Sequence, residues 1–430
     1  MLSTLIVALY AVLPVALLTS SSLPSAVFYA LVAASLALLV QNRLHGAKEQ
    51  TWRYRWLLAS YSVLFLAVAG SSVYYGKWAG ANSEGALRFF LGLWVLLIAL
   101  PLVDRQKLRH AIWGVYAAGL TSSAILFWLT ITVQTRPVPP GLILTTYSSI
   151  MLLLGAITAY SITWSLTSRP RLEAAIKIIT VVAVLAGFWI AQTRTGLLGL
   201  PVFLLLGLIL FVGINHWPRI VALTGGIVIA LAVGLAANEG WRHRITEGLT
   251  EVAQCQGQSA TITQSMCIRL QLWNTALHAG TAHPLTGLGD GGRFGQYMAD
   301  VAVPAGIASQ ALVDDYFGEP HSDLLMMFAA FGVPGLIGLL LIYLSPCIYF
   351  GCRLFNRGLT PNKNRGQTPV MIEAAAAMGL AVCLGFALFG LPETMFRRMN
   401  TMSFYTALVA LFMVLSTPEP ASETEHAHLS

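Results

Sequence analysis

Gly318-Glu319-Pro320-His321-Ser322-Asp323-Leu324-Leu325 is the point where the longest polar interval of this 430-residue sequence meets an apolar run. The polar interval extends from about Asn238 to Asp323, and the apolar run extends from Leu324 to Phe350. A helix needs roughly 20 apolar residues to cross a hydrocarbon core of about 30 Å, and the apolar run is long enough. His321 is therefore predicted to lie at the mouth of a membrane helix, at the end of a large polar loop.

Composition extends this interpretation to the whole chain. Hydrophobic residues make up 56% of the sequence and charged residues 10%, whereas soluble domains carry roughly a quarter charged residues. Long apolar runs in lipid must be helices, because every backbone polar group needs an internal partner. We predict an all-α polytopic membrane protein with about twelve transmembrane helices. The predicted spans are 3–19, 23–41, 56–73, 87–103, 111–133, 142–165, 174–192, 196–214, 219–237, 324–352, 371–390 and 400–416.

These spans divide the chain into four parts. Residues 1–237 hold helices one to nine, 238–323 form one large outward loop, 324–416 hold helices ten to twelve, and 417–430 form a short polar tail.

The distribution of Lys and Arg predicts the orientation, because these residues are retained in short cytoplasmic loops. Five of the alternate loops carry Lys or Arg, namely 42–55, 104–109, 169–177, the connection that ends at Arg219, and 353–365, whereas 20–24 has no charge. Both termini are therefore predicted to be cytoplasmic and the 238–323 loop to lie outside. The net charge of +7 is mainly this topology signal, and no long basic run indicates a nucleic-acid partner.

Cys255 and Cys267 form a pair in the large loop, with eleven residues between them. In a bacterial envelope this loop would meet an oxidising compartment, which favours a disulfide. The alternative is two free thiols, because the sequence does not show whether the α-carbons approach closely enough to be bridged. We predict the disulfide, with a structural role.

Arginine dominates the charges of the predicted outward face, which includes Arg136, Arg244 and Arg88, the last interpreted as a solvated loop charge. Its fork grips phosphate with two hydrogen bonds, although the whole chain is also richer in Arg than in Lys. Glycine-rich turns can aim backbone N–H groups at an anion, and the loop contains one at 283–292. The predicted substrate-binding residues are Arg242, Arg293, Arg397, Arg398, Gly287 and Gly289.

Two further arginines have distinctive positions. Arg194 lies in the tight connection between helices seven and eight, where its side chain either reaches the headgroups or points into a protein cavity. Arg269 lies in the first turn of 268–277, whose apolar residues have the spacing of a surface helix. The rival interpretation gives either arginine a structural salt bridge to an acid, and the candidate acids are Glu393, Asp314 and Asp315.

His321, the acids near it in sequence and the outward arginines suit one chemistry. Arginines can neutralise a departing pyrophosphate while histidine takes a proton from an attacking hydroxyl. The acids predicted beside His321 are Asp314, Asp315 and Glu319, and no metal site is predicted because other closely spaced ligands are missing from the loop. The structural alternative for His321 is a neighbour of the helix N-cap, satisfied by Glu319 or Ser322. A channel or transporter is the alternative function, although no predicted helix has a charge in its middle third.

Short motifs in a fixed order carry a family resemblance. They are Arg194-Thr195-Gly196-Leu197-Leu198, Arg269 with Gly280, Pro284-Leu285-Thr286-Gly287-Leu288-Gly289, and His321-Ser322-Asp323-Leu324-Leu325 before Gly332 and Gly335. With about twelve helices and one large outward loop, the chain resembles the O-antigen ligase and polymerase superfamily from about residue 174 to 353. Within it, the chain looks most like the O-antigen ligases.

The resemblance implies a GT-C-like membrane enzyme of the bacterial inner membrane. Such a ligase moves a polysaccharide from undecaprenyl pyrophosphate to lipid A–core in the periplasmic leaflet, without metal, nucleotide or other cofactor, and inverts the anomeric carbon. Arg194, Arg269 and His321 match the family's functional residues. Two relatives compete: a polymerase usually has two large outward loops, and a protein O-oligosaccharyltransferase often has a soluble region after its last helix.

Overall fold

The computed structural model describes residues 1–44, 46–78, 80–132, 137–240, 242–243, 246–247, 250, 265–355 and 367–418. This part of the chain is helical, and eleven of its helices are long and apolar enough to cross a membrane. A twelfth apolar helix, at the sixth predicted span, is shorter. In chain order they are α1 (Leu2–Thr19), α2 (Leu23–Gln41), α3 (Arg55–Tyr74), α4 (Gly80–Leu102), α5 (Arg105–Thr132), α6 (Leu144–Tyr160), α7 (Pro170–Ala191), α8 (Arg194–Val212), α9 (Trp217–Ala237), the loop helix α10 (Ser265–Ala282), α11 (Asp323–Phe355), α12 (Gln367–Phe389) and α13 (Met399–Ser416). The predicted all-α polytopic fold is confirmed.

The last two helices form the centre of the bundle. In helix α13, 89% of the apolar membrane span is buried inside the protein. The helix packs against α12, α4 and α2. Helix α12 also contacts α11, α8 and α6. By contrast, 6% of the apolar span of α9 is buried, and this helix packs mainly on α8. Since α9 is apolar but scarcely covered by protein, its surface is suited to lipid.

Contacts between helix ends divide the connections into two groups. At one end, Asn82 Nδ2 donates to Asp290 Oδ1 at 2.7 Å, joining the start of α4 to the large loop. At the other end, the hydroxyls of Tyr54 and Thr417 lie 3.1 Å apart, joining the start of α3 to the end of α13. The loops predicted to share a side thus meet at the same end of the bundle.

Helix α11 is broken near its first third by Gly332, whose φ of 66° and ψ of −158° are not helical. A broken membrane helix must satisfy its freed backbone groups within the protein. Here the loop turn supplies the partners: Leu288 N–H donates to the Ala329 carbonyl at 2.9 Å, and Val333 N–H donates to the Pro284 carbonyl at 2.7 Å. The break therefore fixes the large loop to the membrane bundle.

Arg88, which the sequence places on the outward face, is buried in α4 with 5% of its surface exposed. Its Nη1 donates to Ser25 Oγ at 3.0 Å and to Ser403 Oγ at 2.7 Å. The interpretation of Arg88 as a solvated loop charge was therefore wrong. Its guanidinium instead joins α4 to α2 and α13.

Candidate functional site

Three segments meet at the end of the bundle that carries the large loop. They are α10, residues 318–323 before α11, and residues 390–398 between α12 and α13. Asp323 joins the last two, because its N–H donates to the Gly390 carbonyl at 2.7 Å and its Oδ1 accepts from Phe396 N–H at 2.9 Å. Side chains far apart in sequence thus face one another.

Arg269 projects from α10 onto Glu393 of the 390–398 segment. Its Nη2 lies 2.9 Å from Glu393 Oε1, within hydrogen-bond distance. The Glu393 side chain is 3% exposed and the Arg269 side chain 22%. The ion pair suggested by the rival interpretation of Arg269 is therefore present, and its carboxylate is almost fully desolvated.

His321 lies against the second oxygen of the same carboxylate. Its Nδ1 is 3.4 Å from Glu393 Oε2 and 3.8 Å from Glu319 Oε1. Both Nδ1 and Glu393 Oε2 are buried, and neither makes a hydrogen bond within the described structure. Nε2 has no hydrogen bond to a described residue and is not among the buried unpaired atoms. Nε2 is therefore the ring nitrogen that a substrate hydroxyl can reach.

The backbone of His321 has a φ of 48°, a left-handed conformation that costs a non-glycine residue of order 1–3 kcal/mol. The Phe317 ring lies beside the imidazole, with centroids 6.3 Å apart. A strained residue held in place by its surroundings is found most often at functional sites.

Glu319 extends the network to two more arginines. Its Oε2 lies 3.4 Å from Arg397 Nη1, and its Oε1 lies 3.4 Å from Arg398 Nη2. Arg397 also donates to the Gly318 carbonyl. Basic and acidic side chains thus alternate in the order Arg269, Glu393, His321, Glu319 and the Arg397–Arg398 pair. We call these six side chains the charge network.

The network favours the ionised form of Glu393. Burial by itself disfavours the carboxylate, but the interaction with His321 and the positive charge of Arg269 outweigh it, so the pKa of Glu393 is lowered from its ordinary value. A second acid, Glu319, lies 3.8 Å from the same ring nitrogen, Nδ1. The site can therefore stabilise a positive charge on His321 during proton transfer.

Arg194 has a different neighbour from the network arginines. It starts α8 two residues after Gln192, which has a φ of 47°. Its Nη2 lies 3.9 Å from Glu247 Oε2, and the two side chains are 34% and 39% exposed. The ion pair is long, and it leaves part of the Arg194 side chain accessible, although Glu247 Oε2 itself is buried.

Two predicted substrate-binding arginines lie outside the charge network. Arg293 Nη1 donates to the Leu288 carbonyl at 3.0 Å, and its guanidinium lies over the Tyr75 ring, 5.1 Å from the centroid. Arg242 has an exposed side chain on the segment after α9. The structure therefore joins Arg397 and Arg398 to His321, but not Arg242 or Arg293.

The glycine turn is occupied by internal hydrogen bonds. The N–H of Gly287 donates to the His283 carbonyl at 2.8 Å, and that of Gly289 donates to the Ala330 carbonyl at 2.9 Å. Gly287 also has a φ of 58°, and a Cβ there would lie 2.3 Å from the Ala330 backbone. Glycine is needed in this turn because the turn packs closely against the break in α11. The N–H groups that the sequence assigns to an anion are used within the protein.

Cys267 at the start of α10 is disulfide-bonded, whereas Cys347, Cys352 and Cys383 are free. The predicted partner, Cys255, lies outside the described residues, as do Arg136 and Arg244 of the outward arginines. The pairing of Cys255 with Cys267 therefore stays a prediction.

The acids found beside His321 differ from those expected. The sequence predicts Asp314, Asp315 and Glu319, whereas the acids within 4 Å of its Nδ1 in the described structure are Glu319 and Glu393. Asp314 instead accepts a hydrogen bond from Gln310 at 3.0 Å. No group of three or more metal-ligating side chains occurs in the described ranges, and metal independence stays a prediction.

Sequence reasoning missed Glu393 as a site residue. It named Glu393 only as a candidate partner in a structural ion pair. A signal existed in the same short connection, where Arg397 and Arg398 depart from the usual scarcity of basic residues outside. A charged connection of this kind indicates a site, but its partners belong to other segments.

Comparison with known families gives one match. Residues 179–340 match the family model described as O-antigen ligase. The matched range includes Arg194, Arg269 and His321 and ends within α11. No curated protein matches the chain.

Proposed function

We propose that this chain is an O-antigen ligase, because its residues 179–340 match the O-antigen ligase family model. The family match supports a glycosyltransferase of the ligase or polymerase type acting on lipid-linked glycans in a membrane. In our proposal the donor is a polysaccharide on undecaprenyl pyrophosphate and the acceptor is a sugar hydroxyl of lipid A–core. The reaction takes place at the periplasmic face of the bacterial inner membrane, and both termini lie in the cytoplasm.

The observation that carries the proposal is the position of His321. Its Nδ1 lies within 4 Å of two carboxylates, each of which contacts at least one arginine, at the ends of membrane helices. A group transfer from a lipid pyrophosphate needs a proton acceptor and fixed positive charge at the membrane surface. Both kinds of group converge here.

The reaction balances with these groups. The acceptor oxygen attacks the anomeric carbon from the face opposite the leaving group, so the bond to pyrophosphate breaks and the configuration inverts. When His321 acts as the base, the hydroxyl proton passes to its Nε2. In the alternative role, His321 holds the hydroxyl in place and the proton leaves with the pyrophosphate. Undecaprenyl pyrophosphate departs with the bonding electron pair.

Arginine compensates the negative charge that develops on the pyrophosphate. Arg269 uses one N–H for Glu393, and a guanidinium has five N–H donors, so others stay available. The Arg194 side chain is partly accessible. Arg397 and Arg398 are further candidates for phosphate contacts, while Arg242 and Arg293 are candidates for glycan contacts farther from His321.

The test uses purified protein in lipid nanodiscs with a lipid-linked glycan donor. Lipid A–core, an acceptor protein and no acceptor are supplied in separate reactions, and products are separated by gel and mass. Transfer to lipid A–core alone supports the ligase. Chain extension without acceptor indicates a polymerase, glycosylated protein indicates an oligosaccharyltransferase, and no product in any reaction rejects a transferase function in favour of transport.

A fourth reaction contains excess EDTA at constant ionic strength. Arginine-based charge compensation predicts unchanged transfer. Activity that is lost to the chelator and restored by magnesium or manganese would contradict the assignment of this role to arginine.

A further inference from the structure

We infer that Glu393 is a positioning residue that sets the tautomer and orientation of His321 for proton transfer. This inference rests on the proposed function and adds to it a residue that acts through His321. In it, the ionised Oε2 of Glu393 receives the Nδ1–H of His321, so that Nε2 keeps its lone pair for the substrate hydroxyl.

The distance and burial of the two side chains favour this role. Glu393 Oε2 and His321 Nδ1 lie 3.4 Å apart, and both are buried without a hydrogen bond. An unpaired buried polar atom is costly, so two facing ones that can pair should do so after a small movement. Hydrogen bonds between catalytic groups are often long in ligand-free enzymes and tighten when substrate binds.

The contact between Glu393 Oε1 and Arg269 explains why the carboxylate faces His321 in its ionised form. Oε1 accepts from Arg269 at 2.9 Å, so the carboxylate is held from the opposite side by a permanent cation. An ionised carboxylate only accepts hydrogen bonds, and it therefore selects the imidazole form with hydrogen on Nδ1.

Glu319 also lies near Nδ1, but its situation differs. It is 3.8 Å from His321, its side chain is 17% exposed, and both of its oxygens face arginines. The charged groups around the imidazole are therefore Glu319 on its own segment and Glu393 on the opposite segment, with Arg269, Arg397 and Arg398 behind them. Glu393 is the closer and more buried acid.

Glu393→Gln is the sharpest test, because glutamine has the same size as glutamate but stabilises the opposite tautomer of His321. Its carbonyl can still accept from Arg269, but its amide then donates to Nδ1, leaving hydrogen on Nε2 where the base is needed. We expect kcat for transfer to fall about 10²–10⁴-fold and the KM for each substrate to change little. Asp315→Asn, an exposed acid outside the charge network, is the matched control and should keep wild-type kcat.

The double variant Glu393→Gln/His321→Ala separates positioning from general structural support. If Glu393 acts through His321, the double variant has the same kcat as His321→Ala, since the effects of residues acting as a unit are not additive. A further large fall in the double variant, or near-normal kcat in Glu393→Gln, overturns the inference.

Glu393→Asp keeps the inference testable if the Gln variant does not fold. It retains the charge but is one methylene shorter, so kcat should fall at unchanged KM in protein with a normal size-exclusion profile. Unchanged kcat in Glu393→Asp also counts against the inference. Wild-type protein that transfers to no acceptor rejects the proposed function instead, so the two failures are distinguishable.

Discussion

Asp323 and Phe396, which are 73 positions apart, are joined by a buried hydrogen bond from the Phe396 N–H to Asp323 Oδ1 at 2.9 Å. The second oxygen of Asp323 accepts from the Tyr343 hydroxyl at 2.9 Å. This carboxylate therefore fixes the 390–398 segment, with Glu393, to the start of α11 two residues after His321. The charge network depends on this attachment, although no hydrogen bond or ion pair joins Asp323 to the network side chains in the described structure.

We expect Asp323→Ala to weaken the fold and transfer together. The substitution leaves the Phe396 N–H and the Tyr343 hydroxyl without their acceptor, at a cost of about 1–3 kcal/mol for each buried group. Thermal unfolding in detergent and transfer assays on the folded fraction measure the two effects. The exposed Asp315→Ala serves as control, and an Asp323→Ala protein with normal stability and kcat would show that the attachment is unimportant.

His321→Ala should reduce transfer about 10²–10⁴-fold, because a general base contributes on that order. His278→Ala is the matched control: His278 belongs to α10, and its Nδ1 lies 2.6 Å from the Tyr297 hydroxyl, outside the charge network. The assay is transfer to lipid A–core by monodisperse protein. Near-normal transfer by His321→Ala would reject both the base and the positioning role.

Arg194 and Arg269 should respond differently when stability and transfer are measured side by side. Arg194→Ala removes a long, partly exposed ion pair, so we expect less than about 1 kcal/mol of stability loss. Arg269→Ala leaves the buried Glu393 without its cation and should cost about 1–3 kcal/mol or more. Both variants should lose most of their transfer activity.

Substitution by lysine tests the phosphate contact itself, because lysine keeps the charge but loses the fork. Arg194→Lys should lose most transfer if the contact is bidentate, while Arg219→Lys, at the opposite end of the bundle, should not. Full activity in Arg194→Lys would indicate a loose surface charge.

The lowered pKa of Glu393 predicts how its stabilising effect depends on pH. The folded protein releases the Glu393 proton more readily than the unfolded chain does. The stabilisation is therefore fully present above the ordinary glutamate pKa of 4.5 and is lost as the pH falls through the lower folded-state value. Unfolding temperatures of wild type and Glu393→Gln should converge as the pH is lowered below 4.5, and a constant difference would contradict the sign.

The predicted Cys255–Cys267 disulfide can be checked by mass spectrometry. Alkylation of denatured protein without reductant should modify the three free thiols, which are Cys347, Cys352 and Cys383. Prior reduction should add two modified cysteines in peptides carrying Cys255 and Cys267. Alkylation of these two in unreduced protein would argue against the bridge and against a periplasmic loop.

The sequence determined the helices because their signal is local. Each span needs about 20 apolar residues in succession, and all twelve predicted positions coincide with helices in the structure. The same locality identified His321, since a polar loop ending at an apolar run can be seen in the sequence. By contrast, α6 ends at Tyr160, earlier than predicted, because Ser161–Thr163 forms a separate helical turn.

The partners of His321 were decided by tertiary structure. Arg269 and Glu393 are 124 positions apart, and no local periodicity can specify which of many charged residues will share a desolvated site. Arg293 makes the same point, since the sequence assigns it to substrate and the fold places its guanidinium over Tyr75. Hydrophobicity along the chain fixes where helices cross the membrane, but the pairing of charges depends on which helix ends the packing brings together.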